Sequence, residues 1–575
     1  MNTPHEVADR AWGLAEPVPA PWAAGEWSFE RRGDEIADVR HAGRLVLRMV
    51  RLVARDRDWN TVPAEVRDVD ADGSALRVRL ALEGFGAALD ADLVVRAEAD
   101  VLVFETEVRS RSGFWRNRIG LVVLHPPEVS GERLEVVATD GDGTVTSFPT
   151  QVAPHQPARD VARMRWTHDG VASELAFSGD VFEMEDQRNW TDASFKTYST
   201  PLDLPFPVLV REGETVRQSV RLASRVVAEA APAPGPMRVQ SARARVPKIQ
   251  VGASTAAERH LRPAPDAAAL LVELDLRGRR WPAALARAAR EAGRRPLDVR
   301  LVAAGTEEVE EAVIAALKHS VTRIGVFDAT SHMTEPELWE ALTTALTRHG
   351  AQIPRVGGAR THFTELNREH HRLPADLPAL SFSITPQMHA RERSQLVESL
   401  AMQRVVAENA VRIAGGRPVD VGPVTLRPRL NAVATSAQAE PPGDDVTDGY
   451  GPGLLPTATD PRQAGPALAA WTVASAAALC VPGVAAVTYF ETSGPRGLGD
   501  VDGEYPVAEA VRLLHGLAGA PLVDAPLDPH GVAALAAEVD GTVHVLAANV
   551  TPEHRSIGTP LGAVDLAPYA VVHQA

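Results

Sequence analysis

The first 228 residues consist of short segments in which apolar residues alternate with polar ones or form brief runs, as in GRLVLRMVRLVAR, LRVRLALEG and ADLVVRAEADVLVFETEVRS. Polar turns such as Asp72-Gly73 separate them, and no long helix-period stretch interrupts the series. Many short strands with turns between them are typical of a β-sandwich. We therefore predict an N-terminal β-sandwich over residues 1–235. It ends in the proline- and alanine-rich tract AEAAPAPGPM (228–237), which has the composition of a linker.

From about residue 248 the pattern changes to apolar strand-like segments that alternate with helix-period segments. An open doubly wound sheet usually has a glycine-rich first turn, and no such turn follows the first of these strands. Eight β/α units predict a (β/α)8 TIM barrel over residues 240–527. The predicted strands, one to eight, are ALLVELDL (269–276), PLDVRLVA (296–303), VTRIGVFD (321–328), QIPRVGG (352–358), ALSFSIT (379–385), PVTLRPR (423–429), AAVTYFE (485–491) and PLVDAP (521–526).

The last segment of the chain again has strand-like character. VAALAAEVDGTVHVLAANVTPE contains the dipeptide Asp540-Gly541 between two apolar runs, which is a strong hairpin signal, and LAPYAVVHQ follows. We predict a small C-terminal β module over residues 528–575. The predicted fold is therefore multidomain, with all-β domains at both ends of an α/β barrel.

Composition and charge exclude several classes of function. The 59 basic and 75 acidic residues give a net charge of −16, which argues against a nucleic-acid or anionic-membrane partner. The single cysteine, Cys480, excludes an internal disulfide framework. Residues 471–490 lack charge, but Pro482-Gly483 interrupts them, so we predict a buried helix, a turn and a buried strand rather than a membrane span. The first ten residues do not resemble a secretory signal, and we expect a cytoplasmic protein.

Two glutamates stand where barrel enzymes place their chemistry, at the carboxyl ends of strands. Glu365 follows predicted strand four, and Glu491 ends predicted strand seven. A large superfamily of barrel glycosidases uses carboxylates at these two places, and such a pair can divide acid and base roles. We predict both residues to be catalytic, with Glu491 as general base and Glu365 as proton donor. The alternative is that either glutamate is a solvated loop residue or pairs with Arg360, Arg368 or Arg496.

Other polar residues follow the predicted strands. His389 is a candidate catalytic residue that shuttles a proton or donates to a developing oxyanion, or else an ordinary loop histidine. Arg427 and Arg429 lie on one face of predicted strand six and suit a carboxylate or polyol, or else form structural salt bridges. Asn367 and Asn431 are candidate substrate-binding residues.

No metal or other cofactor is predicted. His362, Glu365 and His389 are the only candidate ligand set, and neither a His-Glu-x-x-His motif nor two histidines suitably spaced on one element supports it. A Gly-x-Ser-x-Gly elbow is also absent, which disfavours a serine-hydrolase mechanism.

The N-terminal domain contains one segment unlike the rest, residues 182–198, FEMEDQRNWTDASFKTY, which is rich in acids, amides and aromatics. We predict that it covers the barrel mouth, with Arg188 and Trp190 binding substrate. An interdomain contact surface is the equal alternative.

Six motifs in this chain are long enough to be specific. They are EDQRNWTDASFKTY (185–198), FTELNR (363–368), PQMHA (386–390), PVTLRPRLN (423–431), DPRQ (460–463) and TYFETSGPRG (488–497). Together they resemble the D-apionate lactonase family of sugar-acid catabolism. The resemblance implies an N-terminal β domain, a barrel and a small C-terminal β domain, and hydrolysis of the lactone of a branched five-carbon sugar acid to the open acid. A small-molecule lactone is then the expected partner, and the sequence makes no prediction of oligomeric state.

Two other functions remain open. A glycosidase on the same barrel is the first, although that superfamily usually has Asn directly before the strand-four glutamate, where this chain has Thr364. A non-catalytic carbohydrate-binding protein is the second, and the polar strand ends disfavour it. An aldonolactone has a planar ester carbon and so resembles the oxocarbenium transition state that carboxylate-paired barrels stabilise.

Overall fold

The computed structural model describes residues 3–229, 237–239, 244–263, 265–434, 443–528 and 531–575. The predicted linker at 228–237 lies almost entirely outside them. A short helix, α1 (Pro4–Trp12), precedes the first strand; Thr3 caps it through the backbone N–H of Glu6.

The predicted all-β N-terminal domain is confirmed. Its strands are β1 (Ala20–Ala24), β2 (Trp27–Arg32), β3 (Glu35–His41), β4 (Arg44–Asp56), β5 (Ala64–Ala71), β6 (Ala75–Gly84), β7 (Ala87–Glu98), β8 (Val101–Ser110), β9 (Phe114–His125), β10 (Arg133–Ala138), β11 (Gly143–Ser147), β12 (Ala158–His168), β13 (Val171–Ser178), β14 (Phe182–Asp186), β15 (Phe195–Tyr198), β16 (Val208–Val210) and β17 (Thr215–Val226).

These strands form antiparallel ladders that connect into one sheet, which folds back on itself around a single apolar core. β9 pairs with β4 along one edge and with β15 and β16 along the other. β17 also approaches β9, since Gln218 accepts a hydrogen bond from Leu121 N at 2.8 Å. A Cβ on Gly120 would lie 2.3 Å from that Gln218 oxygen, so the close approach requires glycine there.

The predicted TIM barrel is confirmed as a closed barrel of eight parallel strands. The strands, from barrel strand one to eight, are β19 (Lys248–Gly252), β20 (Leu270–Asp275), β21 (Leu297–Ala303), β22 (Val321–Asp328), β23 (Arg355–His362), β24 (Leu380–Ile384), β25 (Val419–Val424) and β26 (Val484–Glu491). The helices that follow them are α2 (Trp281–Ala292), α3 (Val309–Ala316), α4 (Pro336–Arg348), α5 (Phe363–Glu369), α6 (Arg393–Ala414), α7 (Ala467–Leu479) and α8 (Val507–Gly516).

The predicted strand numbering is wrong by one. The first barrel strand is Lys248–Gly252, which the sequence analysis did not assign because the strand is short and no helix follows it. Between β19 and β20, the described residues 253–263 and 265–269 contain a 3₁₀ turn but no α-helix. The predicted eighth strand, 521–526, belongs instead to the C-terminal sheet. Predicted strands one to seven are therefore barrel strands two to eight.

The predicted C-terminal β module is confirmed, but it recruits strands from within the predicted barrel range. β18 (Met237–Val239) pairs with β30 (Ala525–Leu527). The N-terminal helix also contacts this module, since Trp12 of α1 packs edge-on against Tyr569 at 6.1 Å. The uncharged run 471–490 is part of α7, a turn and β26, as predicted. Among the described helices, none is both long and apolar enough to cross a membrane. The remaining strands are β27 (Gly499–Asp500), β28 (Gly503–Glu504), β29 (Leu522–Val523), β30 (Ala525–Leu527), β31 (Val532–Val539), β32 (Thr542–Asn549), β33 (Arg555–Thr559), β34 (Gly562–Leu566) and β35 (Val571–Gln574).

Candidate active site

A cleft of about 830 Å³, including its open mouth, lies at the carboxyl ends of the barrel strands. This is the face on which barrel enzymes place their sites. Of the predicted site residues, only Glu491 and Arg429 line it. Its other polar lining residues are Thr255, Glu273, Asp275, Arg280, Thr425, Arg360, Tyr450 and Arg496.

Glu491 is held firmly in this cleft. Phe490 has a φ of +50°, a left-handed conformation that is unfavourable for an aromatic residue, and it directly precedes a register shift between β26 and β19. The Glu491 carboxylate is 6% exposed. It accepts hydrogen bonds from Thr255 N at 2.8 Å, from Thr255 Oγ1 at 2.9 and 3.0 Å, and from Arg496 Nε at 2.7 Å. These contacts fix an ionised carboxylate in one orientation.

A tight turn after β26 returns Arg496 to Glu491. Glu491 N donates to Arg496 O at 3.2 Å, and a Cβ on Gly497 would lie 2.4 Å from the backbone of Ser493, so the turn requires glycine at 497. Arg496 is 4% exposed and donates through Nη1 to Ala458 O. Its Nη2 has no partner among the described residues. Beside Glu491, Arg496 therefore has a guanidinium nitrogen whose hydrogen-bonding capacity no described residue uses.

A second carboxylate, Glu273 of β20, lies across the cleft between two arginines. Arg360 Nε donates to it at 3.1 Å, and Arg429 Nη1 donates to its other oxygen. Arg429 also donates to Arg360 O at 2.6 Å. Burial lowers the pKa of Arg429 to about 9, with Arg496 contributing in the same direction. Burial likewise lowers the pKa of Arg360 to about 10. Both values leave the guanidinium groups charged at neutral pH.

Inside the barrel, an ionic layer joins strands three, four and seven. Asp298 of β21 accepts from Arg300 Nε at 2.7 Å and from Arg323 Nη2 at 2.6 Å, and Arg323 also pairs with Asp420. Burial alone would raise the pKa of Asp298, but the two arginines lower it to about 2. This layer joins the strands rigidly with charged rather than apolar side chains.

The segment 182–198 reaches the barrel, but at strands five and six rather than in the cleft. His389 Nδ1 is hydrogen-bonded to Asp192, and Trp190 packs edge-on against His389 at 5.7 Å. Trp190 Nε1 donates to Glu185 at 3.1 Å. Burial lowers the pKa of His389, although Asp192 opposes the shift. A neutral His389 that donates from Nδ1 presents Nε2 as an acceptor, which does not suit the predicted role of oxyanion donor.

Glu365 lies in the first turn of α5, where it caps the helix. Its Oε2 accepts from His362 N at 3.0 Å and from Thr361 Oγ1 at 2.7 Å, and it does not line the cleft. Burial raises the pKa of Glu365, which would suit a proton donor. The observed contacts nevertheless give its carboxyl a local structural task.

The other predicted binding residues make contacts within the protein. Arg188 is buried, with Nε and Nη2 on Asp186 at 2.8 and 2.7 Å and its guanidinium over Phe195 at 4.5 Å. Asn367 donates to Val152 O and to Asn189. Arg427 and Arg429 lie beyond the end of β25, not on a strand as predicted. Arg427 pairs with Asp460 at 2.9 Å, and Asn431 donates to Asp58 O at 2.8 Å.

Comparison with known proteins follows the same domain layout. A model of the D-apionate lactonase N-terminal domain matches residues 8–226, and a model of the D-apionate lactonase TIM barrel domain matches residues 243–519. The chain belongs to the D-apionate lactonase family. A D-apionate lactonase of Brucella anthropi is 27% identical over 553 residues, covering 88% of each chain.

Solved structures similar to this family member match only weakly. A β-arabinopyranosidase is 11% identical and covers 96% of this chain and 97% of its own, with a TM-score of 0.30. An α-galactosidase of Geobacillus stearothermophilus is 10% identical and covers 97% and 99%, with a TM-score of 0.27. At these TM-scores the two likenesses support no conclusion.

In the described part of this D-apionate lactonase family member, no three His, Cys, Asp or Glu side chains form a set that could hold a metal ion. The trio His362, Glu365 and His389 considered from the sequence is therefore not such a set. Trp190 lies between the two histidines, 5.5 Å from the His362 ring and 5.7 Å from the His389 ring. Burial lowers the pKa of His362 to about 3, so that ring is neutral.

Sequence reasoning missed Glu273 and Thr255, and it considered Arg360 and Arg496 only as possible salt-bridge partners of the glutamates, which Arg496 is for Glu491. Glu273 is a charged residue in the middle of the apolar strand ALLVELDL, which is itself a signal, because a charge in a buried strand needs a partner. Arg496 lies within the motif TYFETSGPRG that carries the family resemblance, but its return to Glu491 depends on the turn. Thr255 follows the barrel strand that was not assigned.

Proposed function

We propose that this chain hydrolyses the lactone of a sugar acid, of the D-apionolactone kind, to the open acid. Membership of the D-apionate lactonase family supports the reaction class. The observation that carries the proposal is the pair in the cleft: Glu491, fixed by three hydrogen-bond donors, and Arg496, whose Nη2 has no partner among the described residues. An ester hydrolase needs a base for water and a donor for the carbonyl oxygen.

In the proposed mechanism Glu491 accepts a proton from a water molecule, whose oxygen forms a bond with the lactone carbonyl carbon. The carbonyl oxygen becomes an oxyanion, and Arg496 Nη2 donates to it. The bond from that carbon to the ring oxygen then breaks, and the proton on Glu491 passes to the departing ring oxygen. The products are a carboxylic acid, which ionises, and a free hydroxyl. No covalent intermediate on the protein is required for an ester as reactive as a lactone.

Substrate hydroxyls are proposed to bind on the opposite wall. Glu273 is an acceptor for hydroxyl groups, and Arg360 and Arg429 hold it in place. A polyhydroxylated ring matches a wall of alternating acceptors and donors, whereas an apolar ester does not. The predicted proton donor Glu365 has no step in this mechanism, because it caps α5 outside the cleft.

The glycosidase alternative loses its main support. Its argument was the placement of two glutamates after strands four and seven. Glu365 and Glu491 in fact follow barrel strands five and eight, because the true first strand precedes those that were counted. In the described residues, barrel strand four ends on Asp328 and barrel strand seven on Val424.

Purified protein should be assayed with a panel of aldonolactones, by pH-stat titration of released acid, and with nitrophenyl glycosides. We expect turnover of a five-carbon aldonolactone and none of the glycosides. The exposed Glu311 of α3 provides a matched control, since Glu311→Gln changes the same group away from the cleft and should leave turnover unchanged. Cleavage of glycosides with no lactone turnover would replace the proposal with a glycosidase.

His389 is the competing general base, because Asp192 holds its Nδ1 and leaves Nε2 as an acceptor. His389→Gln should keep at least a tenth of wild-type turnover if Glu491 is the base. Loss of a general base usually lowers the rate by about 10²–10⁴. A loss of that size in His389→Gln, with Glu491→Gln active, would transfer the role.

A further inference from the structure

Glu291, near the end of α2, is a titratable group that the proposed mechanism does not use. Its carboxyl lies behind the cleft, outside its lining. It accepts a hydrogen bond from Ser254 N, with distances of 3.4 and 3.2 Å to Oε1 and Oε2, and another from Thr492 Oγ1. Ser254 and Thr492 belong to different segments, one after barrel strand one and one after barrel strand eight.

These two segments are the ones that fix Glu491. Ser254 directly precedes Thr255, whose N–H and hydroxyl both donate to the Glu491 carboxylate. Thr492 directly follows Glu491, and its N–H donates to Gly252 O at 2.8 Å. Glu291 therefore binds Ser254 next to Thr255 and Thr492 next to Glu491. Because one carboxyl joins both segments, neither segment moves independently of the other.

We propose that Glu291 is a positioning residue, which sets the orientation of Glu491 by holding Ser254 and Thr492 together. The inference rests on the proposed function only where it predicts an effect on the rate. That Glu291 joins Ser254 and Thr492, an arrangement we call the clamp, follows from the contacts alone. Because a displacement of about 1 Å can lower a rate by about 10², a carboxyl that joins the two segments matters without touching the substrate.

The charge of Glu291 gives the clamp a distinctive signature. Burial raises the pKa of Glu291 to about 7, and the nearby negative charge of Glu491 adds to the rise. The Ser254 N–H, Arg287 and Arg295 oppose it. Burial raises the pKa of Tyr450, which lines the cleft, and the charge of Glu291 is close enough to raise it further. Glu291 therefore gains its charge as the pH rises through about 7, and a charged carboxylate is the stronger acceptor for Ser254 N and Thr492 Oγ1.

The test compares Glu291→Ala, which removes both hydrogen bonds, with Glu291→Gln, whose amide oxygen retains an acceptor for them. We expect kcat to fall about 10–100-fold in Glu291→Ala with KM within twofold of wild type. Glu291→Gln should restore most of kcat but lose a step near pH 7 in the kcat/KM profile. The exposed Glu311→Ala is the control. Wild-type kcat in Glu291→Ala, or equal losses in both Glu291 variants, would overturn the proposal.

Two further measurements keep the inference testable by itself. If Glu291→Ala fails to fold, Thr492→Val removes the hydroxyl that Glu291 binds and should give the same loss of kcat. The thermal midpoints of Glu291→Ala, Glu491→Gln and the double variant should be non-additive, whereas Glu311→Ala should add to Glu491→Gln. Non-additive midpoints without lactone turnover would refute the proposed function alone. Additive midpoints, with Glu491→Gln inactive, would refute this inference alone.

Discussion

The Glu491–Arg496 pair yields the most quantitative prediction. Both side chains are nearly inaccessible, at 6% and 4% exposure, and Arg496 Nε lies 2.7 Å from Glu491 Oε1. Arg496→Met leaves the carboxylate with Thr255 as its remaining partner. Removing one member of a buried ion pair destabilises a protein by about 3–5 kcal/mol, because the other charge stays buried without compensation. We expect a loss in that range for the transition that unfolds the barrel.

A double-mutant cycle separates the pair from its surroundings. Glu491→Gln together with Arg496→Met removes both charges, so the double variant should be more stable than the sum of the single losses predicts, by roughly 0.5–3 kcal/mol. Urea unfolding followed by circular dichroism measures each corner of the cycle. Strictly additive losses would show that the two side chains do not stabilise one another.

The turnover of the Arg496 variants tests whether Arg496 Nη2 stabilises the oxyanion. Loss of an oxyanion donor lowers kcat by about 10²–10³, so Arg496→Met should lose that much of lactone turnover. Arg496→Lys keeps the charge but not the planar fork, and should recover stability more than rate. Full turnover in Arg496→Met would refute the proposed role of Arg496.

Three other predictions follow from particular contacts. Arg188→Ala should destabilise the N-terminal domain by about 3 kcal/mol and leave KM unchanged, because the Arg188 guanidinium is bound to Asp186; a raised KM at unchanged stability would restore its predicted substrate contact. Asp298 has a pKa of about 2 when folded and 3.8 as its ordinary value, so it contributes roughly 2–3 kcal/mol of stability above pH 4 that is lost as the pH falls toward 2. Asp298→Asn should remove that part of the acid sensitivity, and an unchanged acid-unfolding curve would contradict this. Dialysis against EDTA should leave turnover unchanged, since Glu273 and Glu491 are each already paired with arginine; loss of activity that zinc or manganese restores would show the opposite.

The domain layout could be predicted from the sequence because the spacing of apolar residues distinguishes strands from helices. The strands of the N-terminal domain alternate clearly, and α4 has a clear helical period. The helix-like segments EPELWEALTTALTRHG (335–350) and ALAAWTVASAAALC (467–480) differ from α4 and α7 by at most two residues at either end. The first barrel strand escaped because five residues without a following helix give no period. That omission moved every strand number, and with it the analogy to glycosidases.

The site was harder to predict because strand ends identify positions but not contacts. Glu491 ends a strand and lines the cleft, as expected of a strand-end residue, whereas Glu365 follows a strand and caps a helix instead. Arg188 lies in a distinctive polar segment, and its partner Asp186 is only two residues away. From sequence alone, an arginine in such a local salt bridge cannot be distinguished from one that binds substrate. The partners of Glu273 come from barrel strand five and from the loop after strand seven, so only the closed barrel brings them together.

The central claim is that Glu491 is the general base of a lactone hydrolase. The most direct test measures kcat of Glu491→Gln on an aldonolactone by pH-stat, with the uncatalysed rate subtracted and with folding verified by circular dichroism. We predict a loss of about 10²–10⁴ in kcat while the variant still binds the lactone. Near-wild-type turnover of Glu491→Gln would contradict the account.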